Sequence, residues 1–214
     1  MEFSEDERKC RAANGPLYQV FDVTIRSIQF LSPVEWKKKA VLKVWPGKGP
    51  DDKRRIANLA IDLFIVLKWL FLLTIWTFNI TNWFVVSMAV LLLIMNLHTY
   101  FWYHLWAVDR GVVIPSPEFR ERRRFMNLIF AIAYSMALYA YLYQRVLMMD
   151  FAWPQNLAPV ISALVFSIGN ALTGFSGDLK PISATAHLVV SSQLVMTFVF
   201  VAMLLSNSVP RPRA

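Results

Sequence analysis

Four stretches of this chain are each long and apolar enough to cross a bilayer, and that constrains its fold more than any other feature. A helix needs about 20 apolar residues to traverse the hydrocarbon core. Ile56–Phe78, Trp83–Trp106 and Phe125–Leu147 meet that length outright, and the slightly more polar Ile182–Leu205 meets it too. Together they take up nearly half of the 214 residues, which accounts for a hydrophobic content of 57%. Hydrocarbon offers no partner for a bare N–H or C=O, so such stretches cross as helices. The expected fold class is an all-α membrane protein with four transmembrane helices.

The net charge of +8 would suggest nucleic acid in a soluble protein. Here its distribution gives a different account, and no nucleic-acid partner is expected. Of 22 Lys and Arg, twelve precede the first span, five lie between the second and third, and two follow the fourth. Those nineteen share one side; Arg145 and Lys180 fall on the other, and Lys68 lies within a span. The excess of Lys and Arg marks the cytoplasmic side, which predicts cytoplasmic N- and C-termini in a multi-pass protein of the cell membrane, for a bacterial chain the inner membrane. The opening MEFSEDERKCRAANGPLYQV lacks the apolar core of a cleavable leader. One cysteine, Cys10, excludes an intrachain disulfide and a cysteine cluster.

The chain divides into a cytoplasmic region 1–55, spans one and two over 56–106, a basic cytoplasmic loop 107–124, a module over 125–209 and a tail 210–214. Residues 1–15 are expected to be a disordered tail. Leu17, Val20, Phe21, Ile25 and Ile28 then recur at helical spacing. "VEWKKKAVLKVW" sets Trp36, Val41, Leu42 and Trp45 among Lys37, Lys38, Lys39 and Lys43. That mixture suits an interfacial helix on anionic lipids, or else a cytoplasmic cap with solvated lysines. "PGKGPDDKRR" predicts a linker and turn, and Pro115 and Pro117 predict an extended middle for the second loop. Asn79–Asn82 predicts a tight turn between spans one and two.

Polar residues inside the spans are few. Asp62 and Lys68 stand six positions apart and do not share a helical face well. Lys68 is the deeper, with a gating or lipid contact set against snorkelling or pairing with a neighbouring helix. His98 and His104, also six apart, read as part of an aromatic belt rather than a ligand pair, and Ser183, His187 and Ser191 form a small polar stripe. No G-x-S-x-G or H-E-x-x-H occurs. The acids and bases are scattered over different spans, so no enzymatic activity and no cofactor are expected.

Between the third and fourth spans the chain must begin and end on the outer side. Val160–Leu172, "VISALVFSIGNAL", is apolar yet too short to cross, a length typical of re-entrant or interfacial segments. Thr173, Gly174, Phe175, Ser176, Gly177 and Asp178 follow as a polar strip. The pattern predicts a pore helix over 158–172 that dips in, an irregular return over 173–178, and a full helix. Irregular backbone at membrane depth needs protein or a water-filled cavity around it, which predicts several copies about one axis. A helix C-terminus favours a cation, and carbonyls with the Thr173 hydroxyl can replace its hydration shell. A permeant cation would bind at Thr173 and Gly174. Gly174 and Gly177 permit the positive φ that turns carbonyls inward, and Asp178 repeats as an acidic ring.

Residues 161–209, about a quarter of the chain, resemble the pore module of the potassium-channel family, the two-helix pore-loop type. The matching features are Phe166–Ser167 in the pore helix, Thr173 opening the filter, Gly177–Asp178 closing it and Pro181 beyond. The family's filter reads Thr-Val-Gly-Tyr-Gly-Asp, whereas this chain reads Thr-Gly-Phe-Ser-Gly-Asp, with Phe175 where glycine stands in the family. The fourth span also lacks the glycine hinge usual in that family. The resemblance implies a homotetrameric channel for potassium or for monovalent cations with weak selectivity. The alternative is a non-conducting relative whose pore module is a scaffold or sensor, presenting its basic N-terminal region to a partner or to lipid.

Overall fold

The computed structural model describes residues 15–30, 36, 40–41, 43–45, 49–102, 117–173 and 179–208. The tail 1–14, His104, Pro115, the expected filter residues Gly174, Phe175, Ser176, Gly177 and Asp178, and the tail 210–214 lie outside the described residues. Helix α1 is Pro16–Phe30, α2 Pro50–Thr77, α3 Trp83–Phe101, α4 Pro117–Tyr141, α5 Pro159–Ala171 and α6 Ala184–Ser208. Strands β1, Phe151–Ala152, and β2, Lys180–Pro181, are two residues each. Among the described residues, four helical segments are long and apolar enough to cross a membrane: Asn58–Thr77, Trp83–Phe101, Phe125–Val146 and Ala184–Leu205. The chain is thus an all-α protein of membrane-spanning character.

Two helices begin upstream of their apolar blocks, which corrects the later half of the expected linker at 46–55, while the expected extended middle of the second loop lies outside the described residues up to Pro117. Pro50 and Pro117 each open a helix. Proline is favoured at the first helical position, where its missing N–H has no partner to lose. Asp51 and Asp52 after the one, and Glu118 after the other, sit at the positive end of the helix dipole. The basic residues that precede spans one and three, Lys53–Arg55 and Arg120–Arg124, therefore ride on helical extensions. The expected turn between α2 and α3 is present. Asn79 takes φ of 53°, a conformation asparagine tolerates, and Asn82 caps α3 by accepting from the Phe84 N–H at 2.9 Å.

The chain separates into two compact units, residues 1–62 and 63–214. In the first, α1 buries Asp22 and Ile25 and leaves Leu17, Val20 and Phe21 outward. In the second, α4 is the hub. Its span is 56% buried, against 22%, 28% and 17% for those of α2, α3 and α6. It also has the lowest mean hydropathy of the four, 1.6, while α6 has the highest, 2.3. That ordering suits a membrane, where the outward surface must be apolar and the polar atoms turn inward. The last turns of α4 widen into a π-helix, Leu142–Val146, closed by Leu147 N–H donating to the Leu142 carbonyl at 2.9 Å. Seven successive residues, Leu138 to Gln144, are buried where the α-helix passes into this π-turn.

β1 and β2 pair antiparallel, Phe151 opposite Pro181 and Ala152 opposite Lys180. The Ile182 N–H adds a bond to the Asp150 carbonyl at 2.9 Å. This clasp joins the end of the third span to the start of the fourth. The intervening chain, which carries α5, therefore leaves and returns at one level.

Candidate functional site

Helix α5 is apolar on the outside and polar on the inside. Ser162, Ala163, Phe166, Ser167, Asn170 and Ala171 are buried, at spacings that form one face. Val160, Ile161, Val165, Ile168 and Leu172 on the other face are exposed. Proline at its first turn starts the helix after Ala158.

The polar face locks onto both flanking spans through Gln193 of α6, which is 1% exposed. Its Nε2 donates to the carbonyl and the hydroxyl of Ser167, each at 2.8 Å. Its Oε1 accepts from Tyr143 Oη at 2.6 Å and from Asn170 Nδ2 at 2.9 Å. A side-chain amide has two donors and an acceptor with two lone pairs, so Gln193 is fully satisfied. Ser167 Oγ donates onward to the Met136 carbonyl of α4 at 2.7 Å, and Asn170 Nδ2 also donates to the Val190 carbonyl at 3.1 Å. Around this network Phe166 packs on Tyr143 and Phe151, with ring centroids 5.3 and 5.7 Å apart.

These bonds set the level of α5. Met136 lies ten residues before the end of the third span at Val146, and Gln193 nine after the start of the fourth at Ala184. At a rise of about 1.5 Å per residue, both are roughly 14–15 Å from the clasped ends. The C-terminal half of α5 thus lies beside the midpoints of the two apolar helical segments that flank it.

The helix ends at Ala171, with Leu172 as its cap and Thr173 next. The Thr173 N–H donates to the Asn170 carbonyl at 3.0 Å, and its φ is 54°. A β-branched residue there is a backbone outlier, in the place where glycine ordinarily closes a helix. The positive φ expected of Gly174 and Gly177 is thus already required one residue earlier. The Thr173 hydroxyl donates to the Leu172 carbonyl at 2.7 Å, and Leu172 and Thr173 are both exposed. Of the expected ion-pathway residues, Thr173 is the one the structure describes.

A second polar cluster joins spans one, two and three. Lys68 of α2, 4% exposed, shares a buried stripe with Leu72 and Ile75. Its Nζ donates to Asn96 Oδ1 of α3 at 2.5 Å and stands 4.6 Å from the Tyr134 ring centre. Asn96 Nδ2 donates to the Ala131 carbonyl of α4 at 3.2 Å. Of the two readings of Lys68, pairing with a neighbouring helix is the observed one, and the amine is too buried to contact lipid. Asp62 is exposed.

A third cluster fastens the turn between α2 and α3 to the end of α4. Trp76 Nε1 donates to Gln144 Oε1 at 2.6 Å, and Tyr141 Oη to the Ile80 carbonyl at 2.5 Å. His187 and Ser191 are exposed, and Ser183 Oγ accepts from the Ala186 N–H at 3.0 Å as the cap of α6. Among the described residues no three His, Cys, Asp or Glu side chains gather as a metal site.

Sequence reading singled out Ser167, which the structure places in the network, but missed Asn170, Gln193, Tyr143 and Asn96. A usable signal existed, because Gln193 and Asn96 are lone amides within apolar runs, where an unpaired amide is costly. Comparison with protein-family models, with curated proteins and with solved structures finds no match to the chain.

Proposed function

We propose that this protein is a channel-like membrane protein, four copies of which gather their α5 helices and Thr173–Asp178 strips around a central path for monovalent cations. The observation that carries this reading is the inside-out character of α5. In water, a helix with Ile161, Val165, Ile168 and Leu172 outward and Ser167 and Asn170 inward would expose the wrong face. In a bilayer, or against a second copy, it has the right one. The clasp between β1 and β2 supports a segment that enters and leaves by the same side, and the bonds to Met136 and Gln193 support entry to about half depth. A C-terminus ending there supports a cation, since its carbonyls carry partial negative charge. Because the Thr173 hydroxyl donates to the Leu172 carbonyl, its oxygen keeps lone pairs able to accept a cation.

The strained Thr173, with the departures at Phe175 and Ser176, favours a second reading in which the module is retained as a non-conducting scaffold. Liposome flux distinguishes the two. Purified protein should pass potassium, and sodium to a comparable or lesser degree. Absence of flux for either ion at every voltage would leave the scaffold reading. Asp178→Asn should lower cation conductance most at low salt, where screening is weakest.

A further inference from the structure

The cluster that fastens the turn between α2 and α3 to the end of α4 contains a charge the chain does not balance. Arg145 lies in the π-turn that closes α4, and such turns are frequent at functional sites. A guanidinium carries five N–H donors. Here one is used: Nη2 donates to the Trp76 carbonyl at 3.5 Å, the outer limit of a hydrogen bond. That carbonyl already accepts from the Asn79 N–H at 3.3 Å. Nε is buried with no partner, whereas Nη1, which makes no bond either, is not shut away with it. Among the described residues no carboxylate forms an ion pair with Arg145.

Its neighbours hold this charge at a fixed level. Gln144 accepts from Trp76 Nε1 and Tyr141 Oη donates to the Ile80 carbonyl, so the turn is fastened beside the guanidinium. Trp76 is one residue before the end of its apolar segment at Thr77, and Arg145 one before the end of its own at Val146. The charge therefore stands at the edge of the apolar zone, where lipid phosphates begin. Phe78 and Trp83 flank the turn and are exposed, and tryptophan is enriched at that boundary. The planar fork of an arginine matches the oxygens of a phosphate. An oxyanion there supplies the counter-charge that a half-buried guanidinium needs.

We propose that Arg145, where the turn between α2 and α3 meets the π-turn of α4, binds a phosphate oxyanion through its Nη groups. A phospholipid headgroup and free phosphate offer the same oxygens, and the two sources separate in the assay below. This inference does not depend on whether the protein conducts ions.

The test is native mass spectrometry of the full, delipidated chain released from detergent micelles. It counts bound ligands as phosphatidylglycerol, diacylglycerol or inorganic phosphate is titrated in. A single phosphate-bearing ligand should bind first and most tightly, and diacylglycerol, which has the acyl chains without the phosphate, should not take its place. Retention of phosphatidylglycerol against millimolar inorganic phosphate assigns the site to a headgroup, and its displacement assigns the site to free phosphate. Arg145→Gln should weaken the first binding about tenfold or more, and Arg145→Lys, which keeps the charge but loses the fork, should weaken it less. Lys180 is exposed on β2, and Lys180→Gln, which removes the same charge, should weaken it about twofold at most. Diacylglycerol binding as tightly as phosphatidylglycerol would overturn the proposal, as would the absence of saturable binding by any phosphate-bearing ligand. Equal weakening by Arg145→Gln and Lys180→Gln would overturn it too, because it marks a diffuse field rather than a site. The ligand comparison uses the unaltered chain, so a folding defect in a variant leaves the test decisive.

Discussion

Replacing Gln193 with leucine tests whether the buried amide fixes α5 against its flanking spans. Gln193 takes part in four hydrogen bonds, with Tyr143, Asn170 and twice with Ser167. Measured side-chain bonds between membrane helices average about 0.6 kcal/mol, so four amount to about 2.4 kcal/mol. Stranding the Tyr143 hydroxyl in a site with 0% exposure adds about 1 kcal/mol or more. Better packing of leucine methyls offsets part of this, and a loss of about 2–3 kcal/mol is expected. Reversible unfolding in mixed micelles measures it. A double-mutant cycle sharpens the test, because Tyr143→Phe should cost about 0.6 kcal/mol in the native background. In the Gln193→Leu background it should cost nothing, or even stabilise, since it removes the orphaned hydroxyl. Hydrogen exchange should show the loosening at residues 159–171 rather than throughout α4. A Gln193→Leu variant as stable as the parent, or an additive cycle, would refute the argument that this amide holds the short helix.

Asn96→Leu removes the one hydrogen bond the Lys68 amine makes among the described residues and should destabilise by about 2–3 kcal/mol. Lys68→Met should change stability by less than about 1.5 kcal/mol, because loss of the bond is offset by removal of a buried amine; the same unfolding assay compares the two. Thr173→Gly relieves a left-handed β-branched residue and should raise stability by about 1 kcal/mol, while lowering cation flux through loss of the hydroxyl; effects of the same sign would break that link. Tyr141→Phe removes one of the bonds that fasten the turn between α2 and α3 to the end of α4, with an expected loss of about 0.6–1 kcal/mol and faster exchange at Ile80.

The long periodic features were legible because they follow from one strong force. Apolar blocks of spanning length became apolar helical segments whose bounds fall within two residues of expectation, the expected end at Trp106 lying outside the described residues, and the short block at 160–172 became α5, Pro159–Ala171. Helix starts were harder. Pro50 and Pro117 looked like breakers, yet at a first position proline is a helix starter, and sequence does not say which role it takes. The polar network was hidden for a different reason. Tyr143 and Gln193 are 50 residues apart, and each looks unremarkable until the π-turn of α4 brings them together. Lys68 could be recognised as anomalous, but not as the partner of Asn96, 28 residues away. Thr173 was expected to present its hydroxyl, and its positive φ was not foreseen because local propensity argues against it.

The account rests on where α5 ends and how many copies meet there. Single-particle imaging of the full chain in lipid nanodiscs measures both at once. The account predicts four copies about one axis, with the Thr173 residues gathered around it at the level of Gln193 and lipid density outside α6. One or two copies, or an α5 lying on the outer lipid surface with no central opening, would contradict it.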